Sequence, residues 1–114
     1  MLKKENRFQG NNGLLFVYRR GVTYRSKYFA AKVVDRNRHE TFRVAVVVSK
    51  KVSKSAPTRN RIRRRLYELF RKYQEKLANQ DIVVTVFDEK VADLPYDELD
   101  NALRRIVEEF TKKD

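Results

Sequence analysis

Residues 42–72 read FRVAVVVSKKVSKSAPTRNRIRRRLYELFRK, and the change of hydrophobic period inside that stretch decides the fold. Residues 42–49 are nearly continuous in β-branched side chains. That pattern predicts a strand, and its lack of polar alternation predicts a central strand buried on both faces. Residues 50–56 form a polar loop. Pro57 biases Ala56 away from helix and suits a first helical turn. From Thr58 to about Ala78 the apolar positions are Ile62, Leu66, Leu69, Phe70, Tyr73 and Leu77. These steps of 4, 3, 1, 3 and 4 trace one stripe of an amphipathic helix, roughly 30 Å long at about 1.5 Å per residue.

The same stretch concentrates the charge. Residues 50–72 hold ten Lys and Arg against one acid, Glu68, a net +9. Residues 1–49 carry net +8, residues 73–114 net −5, and the whole chain +12. Self-repulsion makes so dense a cluster costly unless a polyanion receives it. The interleaved apolar residues distinguish it from a disordered basic tail. The acidic C-terminal third is expected to face away from the ligand.

Outward from this core, residues 11–20 predict a short helix, capped by Asn11 or Asn12 and ended by Gly21. Residues 22–25 suit a short edge strand. In the strand predicted at 28–35, Phe29, Ala31 and Val33 share a core face. Tyr28, Ala30 and Lys32 share the other, which suits ligand contact. Residues 36–41 read as a polar turn, IVVTVF at 82–87 as a central strand, and DEKVAD at 88–93 as a turn. A second amphipathic helix is predicted from Pro95 to about Lys112, on Leu99, Leu103, Ile106, Val107 and Phe110. The order α-β-β-β-α-β-α predicts one small α+β domain spanning 1–114, a sheet packed on helices.

Composition narrows the function. No apolar run approaches the ~20 residues needed to span a bilayer, so no membrane partner is expected, and the N-terminus lacks the apolar stretch of a signal peptide. The absence of cysteine removes disulfides, thiolate metal sites and cysteine nucleophiles, and fits a reducing cytoplasm. One histidine, His39, cannot supply a two-histidine ribonuclease site. Asp97, Asp100 and Glu108 read as a solvated face balanced by Arg104 and Arg105. Only three glycines are present, and none forms a phosphate-cradling loop. No catalytic residue and no metal ligand is therefore assigned.

The residues instead fit binding of structured RNA. Arginine forks hold two phosphate oxygens at once. An amide inside the arginine run, Asn60, suits a phosphate, a 2′-hydroxyl or a bound water, and equally suits capping of the helix start. Tyr18, Tyr28 and Lys32 make a second surface for unpaired bases, which stack on aromatic rings beside cations.

The run SKKV (49–52) followed by RNRIRRRLYELFR (59–71) resembles the signature of the bacterial ribonuclease P protein subunit. The resemblance extends over most of the chain, through the basic-Gly step Arg20-Gly21, the aromatic strand, the later apolar strand and the last helix. It implies a large catalytic RNA as partner and a complex that removes the 5′ leader of precursor tRNA. It also implies a monomeric protein, one per RNA, with magnesium bound in the RNA complex and no cofactor on the protein alone. Ser49, Lys50, Lys51, Arg59, Asn60, Arg63 and Arg64 match the signature. With Lys54, Arg61 and Arg71 they form the expected RNA-binding surface. Tyr18, Tyr28, Ala30 and Lys32 fall on the implied leader-binding cleft. The family fold further implies a left-handed β-α-β crossover from residues 42–49 through the helix to 82–87, where general rules predict a right-handed one.

This chain departs from the pattern in several places. Its loop Ser53–Thr58 is one residue longer than usual. The last signature arginine falls on Tyr67, which leaves that contact missing or moved to Arg71. Cleft aromatics fall on Leu14 and Lys32. The alternatives are a ribosomal or other structured-RNA-binding protein and, less compatible with the residue inventory, a stand-alone protein nuclease.

Overall fold

The computed structural model describes residues 6, 8, 12–35, 42–77 and 79–111. Helix α1 (Asn12–Arg20) is followed by strands β1 (Val22–Arg25), β2 (Phe29–Asp35) and β3 (Arg43–Val48). Helix α2 (Ala56–Lys72) and the short helix α3 (Gln74–Leu77) then lead to β4 (Gln80–Val86). A 3₁₀ turn (Glu89–Ala92) and helix α4 (Tyr96–Thr111) complete the described chain. The α+β class is as predicted, and so is the order apart from the added α3 and 3₁₀ turn.

The four strands form one sheet in the order β1-β2-β4-β3. β2 runs antiparallel to β1 and β4, pairing Phe29 with Val86 and Val33 with Ile82. β3 runs parallel to β4, pairing Val44 with Ile82 and Val48 with Val86. The parallel pair requires a crossover, and α2 with α3 supplies it. The expectation that residues 42–49 form a central strand is overturned. β3 is an edge strand that alternates buried and half-buried residues. Its β-branched run reflects a face covered by α2 rather than burial on both sides. The doubly buried strand is β4, as predicted for residues 82–87; its residues 80–84 are all buried.

One face of the sheet carries the core. Phe29, Ala31 and Val33 of β2, Val44, Val46 and Val48 of β3, and Ile82, Val84 and Val86 of β4 are buried there. The predicted stripe of α2 and α3 meets them, since Ile62, Leu66, Leu69, Phe70, Tyr73 and Leu77 are all buried. So does that of α4, with Leu99, Leu103, Ile106, Val107 and Phe110. Each such fully buried aliphatic or aromatic side chain contributes about 1.5–3 kcal/mol. As an edge strand, β3 leaves outward backbone groups that need partners. The Val46 amide finds one in the Tyr67 hydroxyl, at 3.2 Å. Tyr67 thus satisfies one outward donor of this edge.

Helix α2 begins earlier than predicted, at Ala56, with Ser55 as its cap. Pro57 lies in the first turn, where a missing N–H costs nothing. It also ends earlier, at Lys72. Tyr73 breaks the regular helix by donating its N–H to both the Leu69 and Phe70 carbonyls, at 3.3 and 3.1 Å. A polar cluster ties this break to α4. Asp100 accepts from the Tyr73 hydroxyl at 2.5 Å and from Lys72 Nζ at 3.1 Å. The Lys72 ammonium also lies 5.4 and 5.6 Å from the ring centroids of Tyr73 and Tyr96. Asp100 is therefore no member of a solvated face, because α2 packs close enough to enclose it.

Burial, then the hydrogen bond to Asp100, pushes the Tyr73 phenol up to about 12. Burial also raises the Asp100 carboxyl, but the hydrogen bonds from Tyr73 and Lys72 outweigh it and hold it below its ordinary value. A raised phenol stabilises the fold while protonated, and that stability is lost as pH rises from the ordinary value of 10.0 through about 12. In chemical denaturation, the alkaline loss of stability between these values is expected to be shallower in Tyr73→Phe than in the unaltered protein. Equal slopes would remove Tyr73 from the linkage.

Candidate RNA-binding surface

The parallel β3–β4 pair determines where the basic residues stand. Both strands end at the same edge of the sheet, so the loop after β3 leaves beside the end of β4. That loop is tightly braced. The Ser49 carbonyl accepts from the Val52 and Ser53 amides at 3.1 and 3.3 Å. The buried Ser53 hydroxyl accepts from the Ser55 amide at 3.3 Å. Ser55 in turn caps α2 by accepting from the Thr58 amide at 3.2 Å. The loop is thus ordered by a run of serines, which hydrogen-bond their own backbone. Lys50, Lys51 and Lys54 stand exposed around it.

The arginines of α2 divide by helical position. Arg64 is exposed. Arg63 is half-buried and donates to Asn60 Oδ1 at 2.6 Å. Asn60 is therefore not the helix cap; it is exposed and orients Arg63. Arg59 reaches back to the Ser53 carbonyl at 2.9 Å and holds the loop against the helix start. Arg61 lies 3.4 Å from Asp93, and Arg71 3.8 Å from Glu68. All four of these groups are well exposed, so the pairs contribute little. Arg65 differs. Its guanidinium donates to the Val91 and Leu94 carbonyls at 2.7 and 2.5 Å and pins the 3₁₀ turn to α2. Its place in the basic run gave no sign of this, because the acceptors are backbone atoms some thirty residues away.

The second sheet face is only partly covered. Asp81 and Val83 of β4 point to it and are each 1% exposed, whereas Thr85 on the same face is exposed. The cover comes from α1, whose Val17 is buried, and from Asn6 and Phe8. There Asn6 donates to the Phe42 carbonyl, and Arg43 binds Asp81 through two hydrogen bonds while lying 4.7 Å from the Phe8 ring centroid. Lys32 donates to the Tyr18 carbonyl at 2.8 Å and lies 5.7 Å from the Tyr18 ring centroid. It thereby satisfies a carbonyl of the last turn of α1. Gly21 is needed just beyond, since a Cβ there would meet the Val17 carbonyl oxygen at 2.5 Å and Lys32 Cβ at 3.2 Å. Tyr18, 39% exposed, and Lys32 form a wall, and the half-buried Ala30 lies next to Thr85 in the open floor.

Tyr28 does not join them. It precedes β2, is only 7% exposed, and donates its hydroxyl to Glu98 of α4 at 2.5 Å. The hydrogen bond to Glu98, with burial, raises its phenol above the ordinary range. Strict alternation placed it with Ala30, but the bend at Lys27–Tyr28 turns the ring to α4. His39 lies outside the described residues. Among the described residues, no group of three or more His, Cys, Asp or Glu stands close enough to hold a metal ion. No helix among them is long and apolar enough to cross a membrane.

A mixed sheet with one closed and one half-open face, and a cationic loop and helix at the ends of its parallel strands, defines a basic α+β protein suited to meet a polyanion. The family model for ribonuclease P matches residues 2–111. A ribonuclease P protein component from Pseudanabaena sp. (strain PCC 6903) is 39% identical over 109 residues, covering 94% of this chain and 92% of the relative. The component from Geobacillus kaustophilus is 30% identical, covering 93% and 87%. In fold, the chain is similar to a Staphylococcus aureus RNase P protein mutant with defective mRNA degradation activity. That match has a TM-score of 0.82 at 23% identity and covers 94% of this chain and 89% of the other. The RNase P protein from Thermotoga maritima gives 0.79 at 20% identity, covering 90% and 96%. The chain belongs to the ribonuclease P protein family.

The two kinds of arginine separate experimentally. Arg64→Ala is expected to lower the slope of log affinity against log salt by about one counterion, leaving stability unchanged. Arg65→Ala is expected to cost about 1–3 kcal/mol of stability through its lost charged hydrogen bonds. A lowered slope for Arg65→Ala with full stability would reverse the assignment.

Proposed function

We propose that this chain binds the catalytic RNA of ribonuclease P and the 5′ leader of precursor tRNA as the protein subunit of that cytoplasmic ribonucleoprotein. Membership of the family makes it a component of a ribonucleoprotein endoribonuclease that matures tRNA 5′ ends. The finer reading rests on one observation: the basic loop and the half-open sheet face adjoin at the ends of β3 and β4.

Each surface suits a different part of the RNA. Lys50, Lys51, Lys54, Arg59, Arg61, Arg63, Arg64 and Arg71, with Asn60, offer charge and planar donors to phosphates of a folded RNA. Bracing of the loop by Ser49, Ser53 and Ser55 reduces the ordering cost of that contact. The floor near Ala30 and Thr85, walled by Tyr18 and Lys32, suits a single strand, with a ring for a base and an ammonium for its backbone. Tyr28 supports that floor from behind and touches no leader.

Four of the described acids are already engaged within the fold. Asp81 is bound by Arg43, and Asp100 by Lys72 and Tyr73. Asp88 accepts from the Lys90 amide, and Glu98 from Tyr28. In this reading magnesium is held in the RNA complex, and the protein's contribution is binding and orientation.

The test is reconstitution. Purified protein added to a bacterial ribonuclease P RNA at low magnesium is expected to stimulate correct 5′ cleavage of precursor tRNA. Binding of the RNA without stimulation would favour the structured-RNA-binding alternative. Cleavage by the protein alone, abolished by carboxylate substitutions, would favour the nuclease.

A further inference from the structure

One large apolar side chain is left exposed at the ends of β3 and β4. Phe87 follows β4 and is 48% exposed. Val86, just before it, points into the core and is 2% exposed. Extension of the chain therefore turns Phe87 to the other side, toward the half-open face where Thr85 is exposed. Its backbone is held, because its amide donates to the Tyr28 carbonyl at 3.1 Å. The parallel register pairs Val48 with Val86, so Phe87 stands next in line beside Ser49 and the start of the lysine loop. An exposed phenylalanine with a hydrogen-bonded amide thus lies where the cationic loop and the open floor meet.

The surroundings choose among partners. Lys50 and Lys51 are exposed on the loop that leaves beside it. The next residue, Asp88, keeps its carboxylate in the turn by accepting from the Lys90 amide at 2.9 Å. A carboxylate at that point repels a phosphate, whereas a neutral aromatic face accepts a base. The two lysines supply charge for the phosphates on either side. Aromatic rings flanked by cations are the common means of holding unpaired nucleotides without reading their sequence.

We infer that Phe87 is a stacking platform for an unpaired base of the 5′ leader where the strand passes from the sheet face to the lysine loop. This rests on the leader-binding reading above. It makes Phe87 a determinant of substrate affinity on an element distinct from the Tyr18–Lys32 wall.

The chain contains no tryptophan, so Phe87→Trp places a single tryptophan at the site, excited selectively beyond the absorption of the six tyrosines. With protein assembled on ribonuclease P RNA, Trp emission recorded before turnover is expected to be quenched by leader-bearing precursor tRNA. tRNA that begins at its mature 5′ end should leave it unchanged. Phe87→Ala is expected to weaken precursor binding by about 5-fold or more, the loss of one base stack, and to leave mature tRNA binding unaltered. Phe87→Tyr should retain tight binding. The side chain is half exposed, so circular dichroism of the variants is expected to match that of the unaltered protein. Emission indifferent to the leader, or equal losses for precursor and mature tRNA, would overturn the inference while stimulation of cleavage still stood. Failure of the unaltered protein to stimulate cleavage would instead remove the reading beneath it.

Discussion

The seating of one stripe of α2 on the sheet governs most of what this protein presents to its surroundings. Ile62, Leu66, Leu69 and Phe70 enter the core against Val44, Val46 and Val48. Once these four are buried, the rotation of the helix is set, and with it the direction of every arginine between them. Arg64 faces solvent, Arg63 and Arg59 lie at the margin, and Arg65 turns toward the backbone of residues 91–94. A helix with the same arginines and no stripe would spread its charge without direction.

The second constraint is the parallel pairing of β3 and β4. It brings the end of an edge strand beside the end of the central strand, so that residues 49–54 and residues 85–87 share one rim. Burial of Asp81 and Val83 beside α1 and the Phe8–Arg43 contact closes the far end of the same face. The open part includes Thr85, at the rim where the lysines are. Lys32 links the two sides by joining β2 to the last turn of α1.

Several polar side chains also serve the fold. Arg59 and Asn60 order the loop and the first turn of α2, which presets the geometry of the groups around them. Asp100 and Glu98 face the acidic side of the molecule in sequence, yet each accepts a tyrosine proton at a packing contact. Such positions carry no local signature, because the partner lies 70 residues away for Tyr28 and 27 for Tyr73.

Local pattern by itself determined the elements, their order, the stripes of α2 and α4, the buried face of β2 and the concentration of charge in residues 50–72. The periods of 2 and 3.6 are properties of the backbone and need no partner to be read. The SKKV and RNRIRRR runs carried the family likeness in the same way. Only the tertiary structure decided that β3 lies at the edge, since strand order depends on which neighbours pair across the sheet. It alone turned Tyr28 to α4, where one bend defeats alternation, and gave the cap of α2 to Ser55 rather than Asn60. It alone brought Phe87 to the rim of the basic loop, because that adjacency is created by a parallel register between segments nearly forty residues apart.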